Sequence, residues 1–425
     1  MQIPEMGDSL WYRTVGEPVV IDPDLTENLQ SDVVIVGAGY TGLSTALHLA
    51  EGGYSVAVIE AKQVGWGASG RNGGQVIPGL KLDPDDLERR FGAALVETAG
   101  ATADLVFSLI EKHSIQCEPR RAGWIQGAHS PRALKALNGR AEQWARRGAS
   151  VDFLSAAETK ALTGTDVYCG SLIDRRAGTI QPLGYARGLA RAARQAGAQI
   201  FGKSPVLSIS KVPGGWRSNT AGGSVSSTHV VIATDAYSDR LWPGLANSFL
   251  TVRSIQMATK PLGKIAEEIL PTGACVSESR KLSYYFRRDA AGRFLIGGRG
   301  PMREEKSAEG MFTALRSAIQ QRYPAIADCE IEHQWSGKVS LTIDQLPHIH
   351  EPAPGIHIGH GYNGRGIAVS TLMGALLADR IAGGPMHSLI PPSPLQAIPW
   401  HRIRQPLLTA AIGYYRLKDA LGFGS

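Results

Sequence analysis

The chain has 425 residues, 50 of them glycine, and its 44 Lys and Arg against 38 Asp and Glu give a net charge of +6. At ~150 residues per domain that length allows about two domains and a large core, which excludes a disordered chain or a stapled mini-protein. Basic residues fall in scattered pairs such as Arg120-Arg121 and Arg287-Arg288, with no run of five like charges. A nucleic-acid tract is therefore disfavoured, and the mild positive excess suits steering of small acidic substrates. Cys117, Cys169, Cys275 and Cys329 lie far apart without a C-x-x-C pair, which argues against a metal site or disulfide framework and for thiols in a reducing cytoplasm. The polar first thirty residues and the lack of ~18 uninterrupted apolar residues argue against a secretory leader and a membrane span.

In chain order, Val33-Val34-Ile35-Val36 reads as a strand buried on both faces, followed at once by glycines. Leu43, Ala46, Leu47 and Ala50 recur at helical spacing and stop at Gly52-Gly53, and Val56-Ala57-Val58-Ile59 forms a second buried strand ending at Glu60. This is a βαβ unit, whose first loop lies at the carboxyl edge of a parallel sheet. Residues 84–162 read as largely helical, with a turn or hairpin near 121–124. A helix over 185–195 leads to strands near Ile200, at 206–209 and at 230–233. From 250 to 296 alternation dominates, with Tyr284 to Arg288 and Arg293 to Ile296 joined by a turn at 289–292, the pattern of an antiparallel sheet. A helix near 311–321, the Trp335-Ser336-Gly337 segment, a strand at 356–358, a glycine loop and a helix over 367–381 complete the body.

Gly37-Ala38-Gly39-Tyr40-Thr41-Gly42 fits G-x-G-x-x-G between a strand and a helix, where Gly37 allows the turn, Gly39 lets backbone N–H groups reach a pyrophosphate and Gly42 lets the helix pack closely. Glu60, 18 positions after Gly42, is placed to accept from ribose hydroxyls. Nicotinamide and flavin enzymes share this motif, so other segments decide between them. Gly65-Trp66-Gly67-Ala68-Ser69-Gly70-Arg71-Asn72-Gly73-Gly74-Gln75 is too glycine-dense to pack a core and could wrap a flat ring. Ala233-Thr234 follow a strand as small residues beside a cofactor would. Gly361-Tyr362-Asn363-Gly364-Arg365-Gly366 opens the helix at Ile367, whose amino terminus suits the negative charge of a reduced flavin.

These segments resemble the FAD-dependent amine and amino-acid oxidases that include glycine oxidase, sarcosine oxidase and D-amino-acid oxidase. The run G-W-G-A-S-G-R-N-G-G-Q most resembles the gamma-glutamylputrescine oxidase type. The likeness spans roughly residues 10–385, including G-T-I-Q-P-L-G-Y-A-R-G-L-A from Gly178, Y-F-R-R-D-A-A-G-R from Tyr285 and L-T-I-D-Q-L-P from Leu341. It implies an α/β chain with a glutathione-reductase-like FAD-binding Rossmann domain and a second α+β substrate domain on a mostly antiparallel sheet. The expected FAD domain is discontinuous over 28–90, 165–240 and 335–390, the substrate domain takes 91–164 and 241–334, and 391–425 forms a tail or helix. Ala61 and Lys62 join the FAD set after Glu60, and Val206 matches the position whose backbone meets the adenine. Gly337 stands where covalently flavinylated members carry cysteine, so the implied FAD is noncovalent. Val339 and Ala368 stand where relatives place carboxylate-binding basic residues, which favours an amine carrying any acid elsewhere.

Tyr285 matches a substrate-contacting tyrosine of glycine oxidase, and alternation gives Arg287 the same face, beside a partly solvated alternative. His360 and Arg365 are candidates to approach the flavin, or to hold the loop; Arg71 counts with both the catalytic and the cofactor set. The expected chemistry is hydride transfer from an amine or amino acid to flavin, with dioxygen reoxidising it to give hydrogen peroxide. Rival readings are a flavin dehydrogenase with a quinone or carrier acceptor, a noncatalytic FAD-bound scaffold and a nicotinamide dehydrogenase. A homo-oligomer is compatible with the tail, where Leu407, Leu408 and Tyr414 with Arg402 and Arg416 suggest an amphipathic helix docking on the body or a partner subunit; membrane contact is the lesser alternative.

Overall fold

A computed structural model of the chain describes residues 9–300 and 308–401 and two isolated positions, 406 and 414. The βαβ reading holds: Val33–Val36 and Val56–Ile59 pair in parallel, with the helix Tyr40–Glu51 between them. They sit inside a six-stranded sheet ordered His348–Ala353, Ile356–His360, His229–Ile232, Val33–Val36, Val56–Ile59 and Gln199–Phe201. Every pair is parallel except the edge pair His348–Ala353 with Ile356–His360. Alternation explains the uninterrupted apolar runs: Val33, Ile35, Val56 and Val58 pack on the helices Tyr40–Glu51 and Gly366–Ala382, while Val34, Val36, Ala57 and Ile59 pack on the other side with Trp216 and Val225. Those last two belong to a four-stranded sheet, Asn28–Gln30, Ser224–Ser227, Gly215–Asn219 and Ser208–Val212.

The strand expected at 206–209 begins later, at Ser208, and Val206 lies half-buried in the extended segment before it. Residues 84–162 are less helical than their composition suggests. Helices Pro84–Phe91, Ala93–Gly100, Thr102–Lys112, Pro131–Ala145 and Ala156–Thr163 are present, yet Trp124–Gly127 and Val151–Ser155 are strands. The hairpin expected near 121–124 is replaced by a strand whose partners, Gly170–Asp174 and Cys275–Glu278, are distant in sequence. Local propensity carries no trace of such partners.

The second large sheet has eight strands, ordered Ile331–Leu341, Leu250–Thr259, Phe294–Arg299, Tyr285–Arg288, Cys275–Glu278, Trp124–Gly127, Gly170–Asp174 and Val151–Ser155. It is antiparallel apart from the pair Cys275–Glu278 with Trp124–Gly127. One face holds a core of Ile255, Met257, Phe286, Phe294 and Ile296 with Leu315 and Ile319 of the helix Ala308–Arg322. The other face looks toward the six-stranded sheet. On sheet membership we propose that residues 170–174 and 331–341 belong with the second unit, whereas the sequence-based boundaries at 165 and 335 cut them off from it. Most of the expected tail helix, including Leu407, Leu408, Arg402 and Arg416, lies outside the described residues. Among the described residues no single helix is long and apolar enough to cross a membrane.

Candidate active site

The glycine loop at 37–42 is built around steric necessity. Gly37 has φ +105°, and a side chain on Gly42 would begin 2.0 Å from the Gly37 carbonyl oxygen, so helix and loop touch where only hydrogen fits. Gly39 caps the helix without a side-chain bond, leaving its first N–H groups for another acceptor, and Tyr40 N donates to Ser69 Oγ at 3.0 Å. Ser69 thus stands at the helix end where a pyrophosphate oxygen would be received. Glu60 accepts from Ala38 N at 2.8 Å and Lys62 N at 2.9 Å. Burial raises its carboxyl above the ordinary range, against the pull of these backbone donors. Ser204 N donates to the Glu60 carbonyl at 2.9 Å, bringing the segment before Val206 to this corner, and Ala233 closes over Gly37.

The loop at 65–75 runs from this edge to the eight-stranded sheet. Ala68–Gly70 forms a short 3-10 turn, and Asn72 ties it by donating to Ala68 O and Ser69 O and accepting from Gly74 N. Arg71 is 2% exposed; its Nε donates to Trp66 O at 2.9 Å and its Nη1 to Ser336 O at 3.3 Å. Its own carbonyl accepts from Gln256 Nε2 at 2.7 Å and Trp335 Nε1 at 2.9 Å. A side chain on Gly337 would begin 3.2 Å from Arg71 Cβ, so Gly337 sits directly on this loop. Gln75 Nε2 reaches Val276 O and Phe286 O.

The third segment is held by Asp235, whose Oδ1 accepts from Gly361 N at 3.0 Å and Ser340 Oγ at 2.5 Å. Asn363, at φ +52°, accepts from Thr342 N, and Tyr362 meets Thr41 at 2.5 Å between hydroxyls. Gly364 and Gly366 have open space where a side chain would stand, at the start of a 17-residue helix with no side-chain cap. A cradle of this kind fits the electron-rich end of a flavin, and the three loops together fit the pyrophosphate, the ribose and the ring of FAD.

Tyr285 lies across two glycines: side chains on Gly73 and Gly297 would begin 2.8 and 2.3 Å from its ring. Its hydroxyl pairs with Ser254 Oγ at 2.7 Å, and burial pushes its pKa up to about 12. Arg287 shares that face, as alternation requires, but is 3% exposed and donates from Nη1 to Ile180 O at 2.6 Å and Gly74 O at 3.2 Å, with its guanidinium 5.5 Å from the Trp11 ring. These main-chain bonds anchor the loop at Gly74 to the segment at Ile180. His360 is 1% exposed, with Nε2 2.8 Å from His350 Nε2 and its ring against Phe249. Arg365 reaches the Pro78 carbonyl and lies 5.3 Å from the Trp124 ring. Ala368 is buried in the core of the first sheet.

Sequence reasoning overlooked Trp11, Gln181 and Gln256. Trp11 Nε1 donates to Asn72 O at 2.8 Å, and Gln181 Nε2 donates to Trp11 O at 2.7 Å. Gln256, a buried polar residue within an apolar alternating strand, carried a signal; Trp11, in the short run Leu10-Trp11-Tyr12 of an otherwise polar amino-terminal stretch, carried a weaker one.

A family described as FAD dependent oxidoreductase matches residues 32–380. The chain is 31% identical over 424 residues to the gamma-glutamylputrescine oxidoreductase of Escherichia coli, covering 97% of this chain and 99% of that protein. It is 33% identical over 371 residues to a probable oxidoreductase of Haemophilus influenzae, covering 85% of each. Its fold matches the crystal structure of glycine oxidase from Geobacillus kaustophilus with a TM-score of 0.72 at 24% identity, over 87% of this chain and 99% of that one. The chain therefore belongs to the FAD dependent oxidoreductase family.

Proposed function

We propose that the protein oxidises the carbon–nitrogen bond of a primary or secondary amine, with an amino acid as the broader class. The carrying observation is the meeting of Gly73 with Tyr285 and Gln256, with Ser254 bonded to the tyrosine hydroxyl: the glycine loop that leaves the dinucleotide-binding edge ends against neutral hydrogen-bonding groups of a separate sheet. Such groups orient a substrate without removing a proton, which suits an amine that arrives neutral. Tyr285 keeps its proton throughout the physiological range and so donates or accepts through a hydroxyl, while Arg71 and Arg287 hold the loop rigid beneath it. FAD, held noncovalently by the loops at 37–42, 60–62, 67–75 and 361–367, would supply hydride acceptance at N5, with dioxygen as the final acceptor and hydrogen peroxide as product. The relatives' names support this reading, since one acts on gamma-glutamylputrescine and another on glycine. The four cysteines are free, which supports a cytoplasmic setting.

Anaerobic addition of amines to the purified yellow protein tests the proposal. Bleaching of the flavin, followed by peroxide on admitting air, is the expected result. Bleaching without oxygen uptake would transfer the assignment to a dehydrogenase, and no bleaching by any amine would remove it. FAD should leave the polypeptide on acid denaturation; colour that stays with the chain would contradict the noncovalent reading.

A further inference from the structure

Arg187, Arg191 and Arg194 of the helix Pro182–Gln195 recur at i, i+4 and i+7 and so share one face. The amino-terminal segment against this face supplies two carboxylates. Glu17 accepts from Arg191 Nη2 at 2.9 Å and Nε at 3.2 Å and from Gln116 N at 2.8 Å, while Asp22 pairs with Arg194. Both acids are buried and both are already matched.

Arg187 is the third cation. Among the described residues it has neither an acid nor a hydrogen-bond acceptor: it is 8% exposed, its Nη1 is buried without a partner, and its guanidinium carbon lies 5.7 Å from the centre of the Tyr12 ring. Burial lowers its pKa, offset by Tyr12 and by no carboxylate among the described residues. A ring face balances part of the charge but takes none of the in-plane N–H bonds that a guanidinium offers. A buried cation left in this state is costly.

Arg187 also lines a cavity of about 40 Å³ between its helix, the segment 17–20 and residues 63–64. At ~10–15 Å³ for each water-sized group, about three such groups fit. Pro18, Val19, Val20, Val64 and Ala190 make much of the wall apolar. One unmatched positive charge calls for one negative charge, and apolar walls call for an alkyl stem; a phosphate, with more charge and no stem, suits the cavity less well.

We propose that Arg187 anchors a binding site for a short aliphatic carboxylate, none of whose lining residues belongs to the loops at 37–42, 60–62, 67–75 and 361–367. The guanidinium fork would take the carboxylate and the valines its stem. Gln63 and Val64 lead from Lys62 into the loop at 65–75, and a side chain on Gly65 would begin 2.9 Å from Leu183 of the same helix. A carboxylate bound here would fasten helix, amino-terminal segment and glycine loop together.

Calorimetry on the holoenzyme in low-chloride buffer, with butanoate, its uncharged analogue butanamide and inorganic phosphate, tests the site. Butanoate should bind saturably and raise the melting temperature with concentration, as a ligand of the folded state does. Butanamide and phosphate should bind at least about tenfold more weakly. Arg187→Met should weaken butanoate at least about tenfold, with FAD content and flavin spectrum unchanged. Val20→Asp gives a second route, since Val20 is exposed at the cavity and a like charge there should repel butanoate without disturbing the core. Butanoate held at the flavin instead would survive both substitutions. The site is overturned by a wild type that does not bind butanoate saturably, by binding that survives Arg187→Met or, should that variant fail to fold, Val20→Asp, and by butanamide or phosphate binding as tightly as butanoate.

Discussion

The two large sheets present different chemistry at the candidate site. The six-stranded sheet offers main-chain groups: helix N–H donors after Gly39 and Gly366, a loop closed so tightly at Gly42 that no side chain fits, and open space at Gly364 and Gly366. The eight-stranded sheet offers side chains, Tyr285, Ser254, Gln256, Ser277 and Gln126, brought together from strands up to about 160 positions apart in sequence. A main-chain site needs a local run of small residues and is compact in sequence. A side-chain site needs only that strands align, so its members are scattered.

The sharpest way to break this contrast is at Gly42. With the Gly37 carbonyl oxygen 2.0 Å from where a side chain would begin, Gly42→Val should cost ~3 kcal/mol or more, because backbone cannot give way as a side chain can. Denaturant midpoints and retained FAD measure it, and a variant as stable as wild type would show that the loop tolerates opening.

Arg287→Leu tests whether a charged side chain in the second sheet serves substrate or scaffold. Leaving the Gly74 and Ile180 carbonyls without their donor should cost ~2–3 kcal/mol of stability. Turnover of acid-bearing and neutral amines should fall alike, and a selective loss for the acid would return Arg287 to substrate binding. Glu60→Ala addresses the first sheet: on the proposal that its carboxylate accepts from ribose hydroxyls, its loss should weaken FAD ~10- to 100-fold, or ~1.5–3 kcal/mol. Titration of apoprotein measures it, and unchanged affinity would detach Glu60 from the site.

The smallest effect is an acid limb. Burial holds His360 well below its ordinary pKa and His357 down to about 4, and both lie on the strand Ile356–His360, next to the edge strand of the first sheet. Unfolded, each binds a proton near pH 6.5, so stability is full above that value and falls as pH drops toward about 4. Denaturation at pH 7 and pH 5 reads the loss, and His357→Gln should shrink it. Equal stability at both pH values would mean these rings protonate without unfolding.

The contrast also explains what could be read from the chain alone. Gly37 to Gly42, Glu60 and the loop at 65–75 announced themselves because their spacing is local and their chemistry needs glycine. Tyr285 and Arg287 were placed on the right face by alternation, but the partners of Arg287 come from residues 74 and 180, which no strand pattern foretells. Trp124–Gly127 escaped notice for the same reason: its identity as a central strand is conferred by neighbours at 170–174 and 275–278.

The Arg71 carbonyl, receiving Gln256 and Trp335 from two strands of the second sheet while its own loop springs from the first, works as a weld across the seam. A clamshell opening of the two units would tear both bonds and expose the Trp335 ring that packs on Trp11. Any motion that parts the two sheets at this seam must therefore break both of these hydrogen bonds together.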